Sequence, residues 1–139
     1  MKVLIDTNII IDILEQRKPA YTQSYRVIQL GFDGKLEILI SAGALTDVYY
    51  IINRSLHDAN KAREKIFTLT NLVSICNTTS DDINTALTLL TPDFEDAVAA
   101  AIAKREKADF IITRNMEDFS NSPIPALSPE DFLQKFCAY

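Results

Sequence analysis

Carboxylates are the side chains here with the most to offer chemically, and several stand at the ends of predicted elements. Asp6 directly follows the apolar run Lys2 to Ile5 (KVLI) and begins the triplet Asp6-Thr7-Asn8. Asp47 lies early in a segment with helical periodicity, and Asp93 and Asp96 fall in the first turn of an alanine-rich one. Asn115 follows a further apolar run, Phe110 to Thr113 (FIIT), by two residues. Acids from distant parts of a chain, once crowded together, repel one another. At neutral pH the crowding is tolerable only if some protonate or a cation binds. Oxygen donors with incomplete protein coordination suit Mg²⁺ or Mn²⁺, ions that keep part of their water.

Other chemistries are poorly supplied. His57 is the single histidine, which rules out a multi-histidine zinc site and leaves a Ser-His-Asp triad resting on one undistinguished helical residue. Cys76 and Cys137 form no C-x-x-C pair and read as small buried hydrophobes. The net charge of −5 argues against holding nucleic acid by bulk electrostatics, so a polyanion would have to be met by bound metal and local basic groups.

The elements that must position these residues follow from periodicity. The runs Lys2 to Ile5, Leu36 to Ile40, Leu72 to Cys76 and Phe110 to Thr113 read as buried strands. Between them come helices: one opened by the Asp6 triplet, one around Ala20 to Phe32, one with Leu45, Val48, Tyr49, Ile52 and Leu56 as its apolar stripe, and one from Asp58 to Leu69. Thr79 or Ser80 is expected to cap a helix reaching about Leu90, and Pro92 to sit as the first helical residue before Asp93 to Lys107. Ser128-Pro129-Glu130-Asp131 opens the last helix. Strands alternating with helices imply an α/β fold with a parallel sheet covered on both faces. Residues 1–139 are expected to form a single domain, since 139 residues suffice for one real core. No stretch approaches the roughly 20 apolar residues of a membrane helix. Asp6 and Asp12 interrupt any signal-like apolar run at the start, so a cytoplasmic location is expected.

In open parallel sheets ligands collect at the carboxyl ends of the strands, where Asp6 and Asn115 are expected. On its helix Asp47 lies about 200° from Leu45, away from the centre of the buried stripe. On the alanine-rich helix Phe94, Val98, Ala101 and Ile102 are expected to pack. Asp93, Asp96, Ala100 and Ala103 share another sector, with alanines that let a backbone or substrate approach. Each acid also has an ordinary reading: Asp6 as a helix N-cap, Asp47 as a solvated charge, Asp93 and Asp96 as dipole-stabilising first-turn acids. Asp12 reads as a solvated helix face and Asp118 as a turn residue.

Taken together the motifs resemble the PIN-domain family, the nuclease fold of many VapC-like toxins of toxin–antitoxin pairs. The resemblance rests on Asp6-Thr7-Asn8 after an apolar strand and Thr46-Asp47-Val48-Tyr49-Tyr50 in a helix. It continues in Asp96-Ala97-Val98-Ala99-Ala100 and in Thr113-Arg114-Asn115-Met116-Glu117-Asp118-Phe119 after a strand, and it spans Lys2 to about Phe132. Two positions depart from the family pattern: Asp47 stands where Glu is usual, and Asn115 where many members carry Asp. A neutral amide lowers the charge of the site, which weakens the case for a second firmly held metal; Asp118 or Asp93 is the candidate to compensate.

The resemblance implies a three-layer α/β/α fold with a central parallel sheet of four to five strands, and a Mg²⁺- or Mn²⁺-dependent ribonuclease. Asp6 and Asp96 would be the main metal ligands and Asp47 would complete the acidic pocket. Asn115 and Asn8 would contact substrate or steady the ligands, Thr7 would hold the Asp6 turn, and Asp93, Thr113, Arg114 and Asp118 would border the site. Metal-activated water would attack in line, leaving 5′-phosphate and 3′-hydroxyl ends. Arg54, Arg114 and the group Lys61, Arg63 and Lys65 are candidate phosphate contacts. An antitoxin partner that neutralises the acidic pocket with an arginine is implied, as is a homodimer to which Tyr21, Tyr25 or Tyr50 could contribute. Two rivals stand beside this reading. One is an inactive PIN-like binding module, for which Asn115 is the best support. The other is phosphoryl transfer through an aspartyl nucleophile at Asp6, which wants a second acid where this chain has Asn8.

Overall fold

The computed structural model describes residues 1–137; the last two residues of the expected domain lie outside it. Five strands form one all-parallel sheet in the order β3-β2-β1-β4-β5. They are β1 (Lys2–Ile5), β2 (Glu37–Ser41), β3 (Ser74–Cys76), β4 (Phe110–Ile112) and β5 (Ala126–Leu127). The helices are α1 (Thr7–Leu14), α2 (Ala20–Phe32), α3 (Ala42–Leu56), α4 (Ala59–Thr70), α5 (Ser80–Ala86), α6 (Phe94–Arg105) and α7 (Pro129–Phe136), with a 3₁₀ turn at Met116–Phe119. No helix among the described residues is long and apolar enough to cross a membrane.

Side chains alternate across a strand, so each strand feeds two cores. Val3, Ile5, Ile38, Ile40 and Ile112 point to one face, where they meet Ile9 and Ile10 of α1, Val27 and Ile28 of α2, Val48 and Ile52 of α3, and Phe132 and Leu133 of α7. Leu4, Leu39 and Ile111 point to the other, against Ala100, Ile102 and Ala103 of α6 and Phe119 of the 3₁₀ turn. Helices therefore cover both faces, and the architecture is the expected α/β/α sandwich around a parallel sheet. Gly31 of α2 lies so close to the sheet that a Cβ there would stand 2.6 Å from Ile38 Cδ1.

Several local expectations are corrected. The helix capped by Thr79 stops at Ala86, short of Leu90, and Leu87 and Leu90 are left exposed. Pro92 precedes the next helix, whose N-cap is Asp93 and which ends at Arg105 before Lys107. On α6 the small residues Ala97, Ala100, Ala101 and Ala103 pack with Ile102, whereas Phe94 is 47% exposed. Alanines let α6 approach the sheet closely, so close approach outweighs side-chain hydrophobicity in setting the helix's roll. His57 is the left-handed C-cap of α3, outside the helix proper. The two-residue β5 and the 3₁₀ turn carry too little periodicity to be read from sequence.

Candidate active site

The strand order places a topological switch point between β1 and β4: the chain leaves β1 toward β2 on one side, and β4 leads on to β5 on the other. Ile5 and Ile112 are in register, and the Asp6 backbone N–H extends the ladder to the Ile112 carbonyl at 2.9 Å. The carboxyl ends of β1 and β4 thus bring Asp6 and Thr113 side by side. Asp6 is the N-cap of α1, and its Oδ1 accepts from the Thr7 backbone N–H at 2.8 Å. Its Oδ2 accepts from the hydroxyl of the fully buried Thr113, also at 2.8 Å. The Thr113 oxygen in turn accepts from the Asn115 backbone N–H at 3.1 Å, while Asn8 Oδ1 receives the Arg114 backbone N–H at 3.4 Å. Thr7, Asn8, Thr113, Arg114 and Asn115 so form one hydrogen-bonded frame around a single carboxylate.

Asp6 and Asp47 line one cleft of about 330 Å³, together with Thr7, Ser41, Gly43, Ala44, Thr78, Phe94, Glu95 and Val98. Ser41 caps α3 by accepting from the Ala44 N–H, and the Gly43 N–H donates to Thr78 Oγ1 at 3.2 Å, which ties the cleft's far wall to the segment after β3. Asp96 is not in that wall, but it stands near enough to Asp6 for each to feel the local crowd of acids. Burial raises the Asp96 carboxyl to a pKa of about 7, with Asp6, Asp93, Asp118 and Glu95 adding repulsion. Asp6 is likewise raised by burial; the Thr113 and Thr7 hydrogen bonds oppose this, and Asp118 and Asp93 reinforce it. Glu95 is raised by burial, then by Asp47, Asp93 and Asp6. Asp93 serves its helix as N-cap, accepting from the Asp96 N–H at 3.1 Å. Asp118, exposed on the 3₁₀ turn, acts on both Asp6 and Asp96 through its charge.

Glu95 is the site residue that sequence reading passed over. It sits beside Asp96 in the same helical turn, and the roll of α6 aims it at Asp47; had the roll been derived from the alanines, Glu95 would have been found. Asp12, expected on a solvated face, is 1% exposed and faces Arg114, with Nε 2.7 Å from its Oδ2. Lys65 is spent on structure, donating to the Leu14 carbonyl at 3.0 Å, whereas Lys61 and Arg63 are exposed on α4 and Arg54 is exposed on α3. The Cys76 thiol is pushed up to about 11 by burial, with Glu106 adding to it, which keeps it in the thiol form at neutral pH.

Among the described residues no three acidic, histidine or cysteine side chains already converge on one metal-sized point. The donor set still fits a hard cation that keeps most of its water: it is all oxygen, anchored on one well-held carboxylate, and its acids resist losing their protons in each other's presence. One or two direct carboxylates with water between the ion and the rest is ordinary for Mg²⁺.

Comparison with known proteins agrees with the fold. The family model described as PIN domain matches residues 2–117, and the chain belongs to that family. A curated relative, Ribonuclease VapC1 of Aquifex aeolicus (strain VF5), is 27% identical over 140 residues, covering 97% of this chain and 95% of the relative. The solved structure of VapBC2 from Rickettsia felis, bound to a DNA fragment from their promoter, is similar with a TM-score of 0.74 at 19% identity, over 92% of this chain and 98% of that one. The sarcin-ricin-loop-cleaving toxin VapC20 of Mycobacterium tuberculosis is similar with a TM-score of 0.63 at 16% identity, over 78% and 86%.

Proposed function

We propose that this PIN-domain chain is a divalent-metal-dependent ribonuclease, and that it acts as the toxin of a toxin–antitoxin pair. The observation that carries the reading is the Asp6 carboxylate, fixed by Thr7 and Thr113 at the switch point of the sheet and surrounded by acids whose protons are held unusually tightly. The ribonuclease name of the Aquifex relative and its near-complete overlap with this chain support the same activity.

Asp6 and Asp96 are the residues to hold Mg²⁺ or Mn²⁺, with Asp47 and Glu95 on the facing side of the cleft. When bound, the cation supplies positive charge that polarises a phosphoryl oxygen and makes water more acidic. The protein's own part is placement. Thr113 and the Thr7 N–H orient both oxygens of Asp6, so its lone pairs are presented in one direction. Asp47 and Glu95 line the cleft where water can sit and are placed to accept its proton. Asn115 contributes no charge, and Asp118 and Asp93 supply negative potential nearby. Both Asp6 oxygens are engaged and the acid an aspartyl-phosphate enzyme would carry at position 8 is Asn8, so hydrolysis is favoured over transfer through Asp6.

An antitoxin partner fits the similarity to toxin–antitoxin complexes such as the Rickettsia felis one. An apolar groove of about 480 Å³ between α3 and α4, with Tyr50 65% and Phe67 70% exposed, is surface of the kind that associates. Homodimerisation, with the half-exposed Tyr25 as a candidate contact, belongs to the same proposal. The test is cleavage of a panel of structured and single-stranded RNAs by purified protein in EDTA, Mg²⁺ and Mn²⁺, with D6N as control. Metal-dependent cleavage lost in D6N is expected. Identical behaviour of wild type and D6N across all metals and substrates would leave the binding module standing instead.

A further inference from the structure

We infer that Asp12 is a positioning residue for Arg114, and that the guanidinium it anchors grips a backbone phosphate flanking the one to be cut. The inference rests on the ribonuclease reading in taking RNA as the ligand. Asp12 lies on the inward side of α1 beside Ile9, Ile10 and Ile11, all buried, and is itself 1% exposed. A carboxylate in such a place is expensive, and replacing a buried ion pair with apolar residues is often neutral or stabilising. The neighbouring isoleucines show what this helix uses when packing is all that is asked.

The pair is unequal. Asp12 is sealed, whereas the Arg114 side chain is 43% exposed. Contact is made at Nε, 2.7 Å from Asp12 Oδ2, and that oxygen has no aligned hydrogen bond, so the link is an ion pair by distance. A guanidinium has five N–H donors. Nε is spent on Asp12, which leaves the four Nη N–H donors of a side chain that is 43% exposed. Arg17, the other cation whose charge reaches Asp12, is occupied by Glu15, its Nε donating to Oε2 at 2.8 Å. Residue 114 is also held through its backbone, by Asn8 Oδ1. Asn8 and Asp12 are one helical turn apart on α1, so the helix grips Arg114 twice on one face. The residue immediately before it, Thr113, orients Asp6.

These links place a fixed, outward-facing cation on the rim of an acid-crowded site in a protein of net charge −5. Asp6 and Asp12 are separated by about 9 Å along the helix axis. A strand whose cut phosphate lies at Asp6 and which runs along α1 would meet Arg114 within a nucleotide or two. A planar guanidinium matches a phosphate's oxygens as a fork, which a lysine does not.

The experiment measures binding of a fluorescein-labelled single-stranded RNA of mixed sequence by the full chain in the D6N background, with Mg²⁺ constant and KCl varied. R114Q is expected to weaken binding about fivefold or more and to lower the slope of log affinity against log salt by about 0.7, the value of one phosphate contact on a single strand. D12N should reproduce both effects, and D12N with R114Q should be no worse than either alone. In cleavage-competent protein the same changes should raise KM much more than they lower kcat. A D12N that melts earlier but keeps the wild-type slope, or a double variant whose losses add, would overturn the inference. Should D12N fail to fold, R114K decides: it alters an exposed side chain, keeps the charge and loses the fork, so binding as tight as wild type would also overturn the inference. Failure of the two readings is separable. Arg114-dependent binding without cleavage in any metal removes the nuclease reading alone; metal-dependent cleavage with KM unchanged in R114Q removes this one alone.

Discussion

Asp96 sets the proposed site against the stability of the fold, and D96N measures that opposition. In the native protein this carboxyl titrates near 7, against an ordinary value of 3.8. The folded chain therefore binds the proton more tightly than the unfolded chain does. Between about pH 4 and pH 7 the native state holds more protons, so stability falls as pH rises through that window and levels off above it. At 1.36 kcal/mol per pH unit the full interval corresponds to about 4 kcal/mol. Asp96 keeps partial contact with water, which screens its neighbours, and its place in the first turn of α6 returns about 0.3–1 kcal/mol through the helix dipole. A net penalty of about 1–2 kcal/mol at pH 8 is expected once both are discounted.

D96N removes the charge with little change of shape. In EDTA at pH 8 it should melt above wild type by about 3–7 °C, taking the unfolding entropy proportional to chain length. The gap should shrink toward zero, or reverse slightly, near pH 4. Mg²⁺ should then raise wild type alone, by about 2.7 kcal/mol at a hundredfold excess over its Kd. The measurement is a set of thermal melts of both proteins from pH 4 to 8, with and without Mg²⁺. A gap independent of pH, or a D96N less stable than wild type at pH 8 without metal, would refute the argument from burial and crowding.

Further outcomes follow from neighbouring contacts. T113V deletes the hydroxyl that holds Asp6 Oδ2 and should cost about 1–2 kcal/mol in urea unfolding and about tenfold in kcat, with T113S restoring most of both. N115D adds a carboxylate to the site and should tighten Mn²⁺ binding by calorimetry while lowering the melting temperature of the metal-free protein. R105M strands Asp82, which is 2% exposed; burial opposes its ionisation, but hydrogen bonds from Arg105 and Thr79 hold its carboxyl below the usual range. That contribution is present above the unfolded pKa and is lost as pH falls through the folded one, so R105M should lose about 3 kcal/mol at pH 7 and progressively less as the pH is taken below 3.8, by urea titration.

Asp6 and Asn115 could be placed from sequence because a strand end is a fixed address: an apolar run stops, and the next residues lie on the rim. The sheet and its two covered faces were legible for the same reason. Asp12 was not, because helical periodicity treats a lone charge as solvated unless a partner is in view, and Arg114 arrives from the far end of the chain. Glu95 was hidden by the roll of α6, which alanine-to-sheet approach fixes and a hydrophobicity wheel misreads. Asp47 can be set outside the core from sequence because α3 has a clear apolar stripe at Val48 and Ile52.

The borders of the sheet carry a last consequence. β3 has three residues and β5 two, so either margin offers few unpaired main-chain groups to a visiting peptide. Short margins protect a parallel sheet from joining copies of itself into fibres. They also leave little room for a ligand that docks by adding a strand, which favours a protein partner that seats side chains in grooves. Its specificity would then be written in the shape and charge of those side chains, open to rapid divergence while the scaffold stays constant.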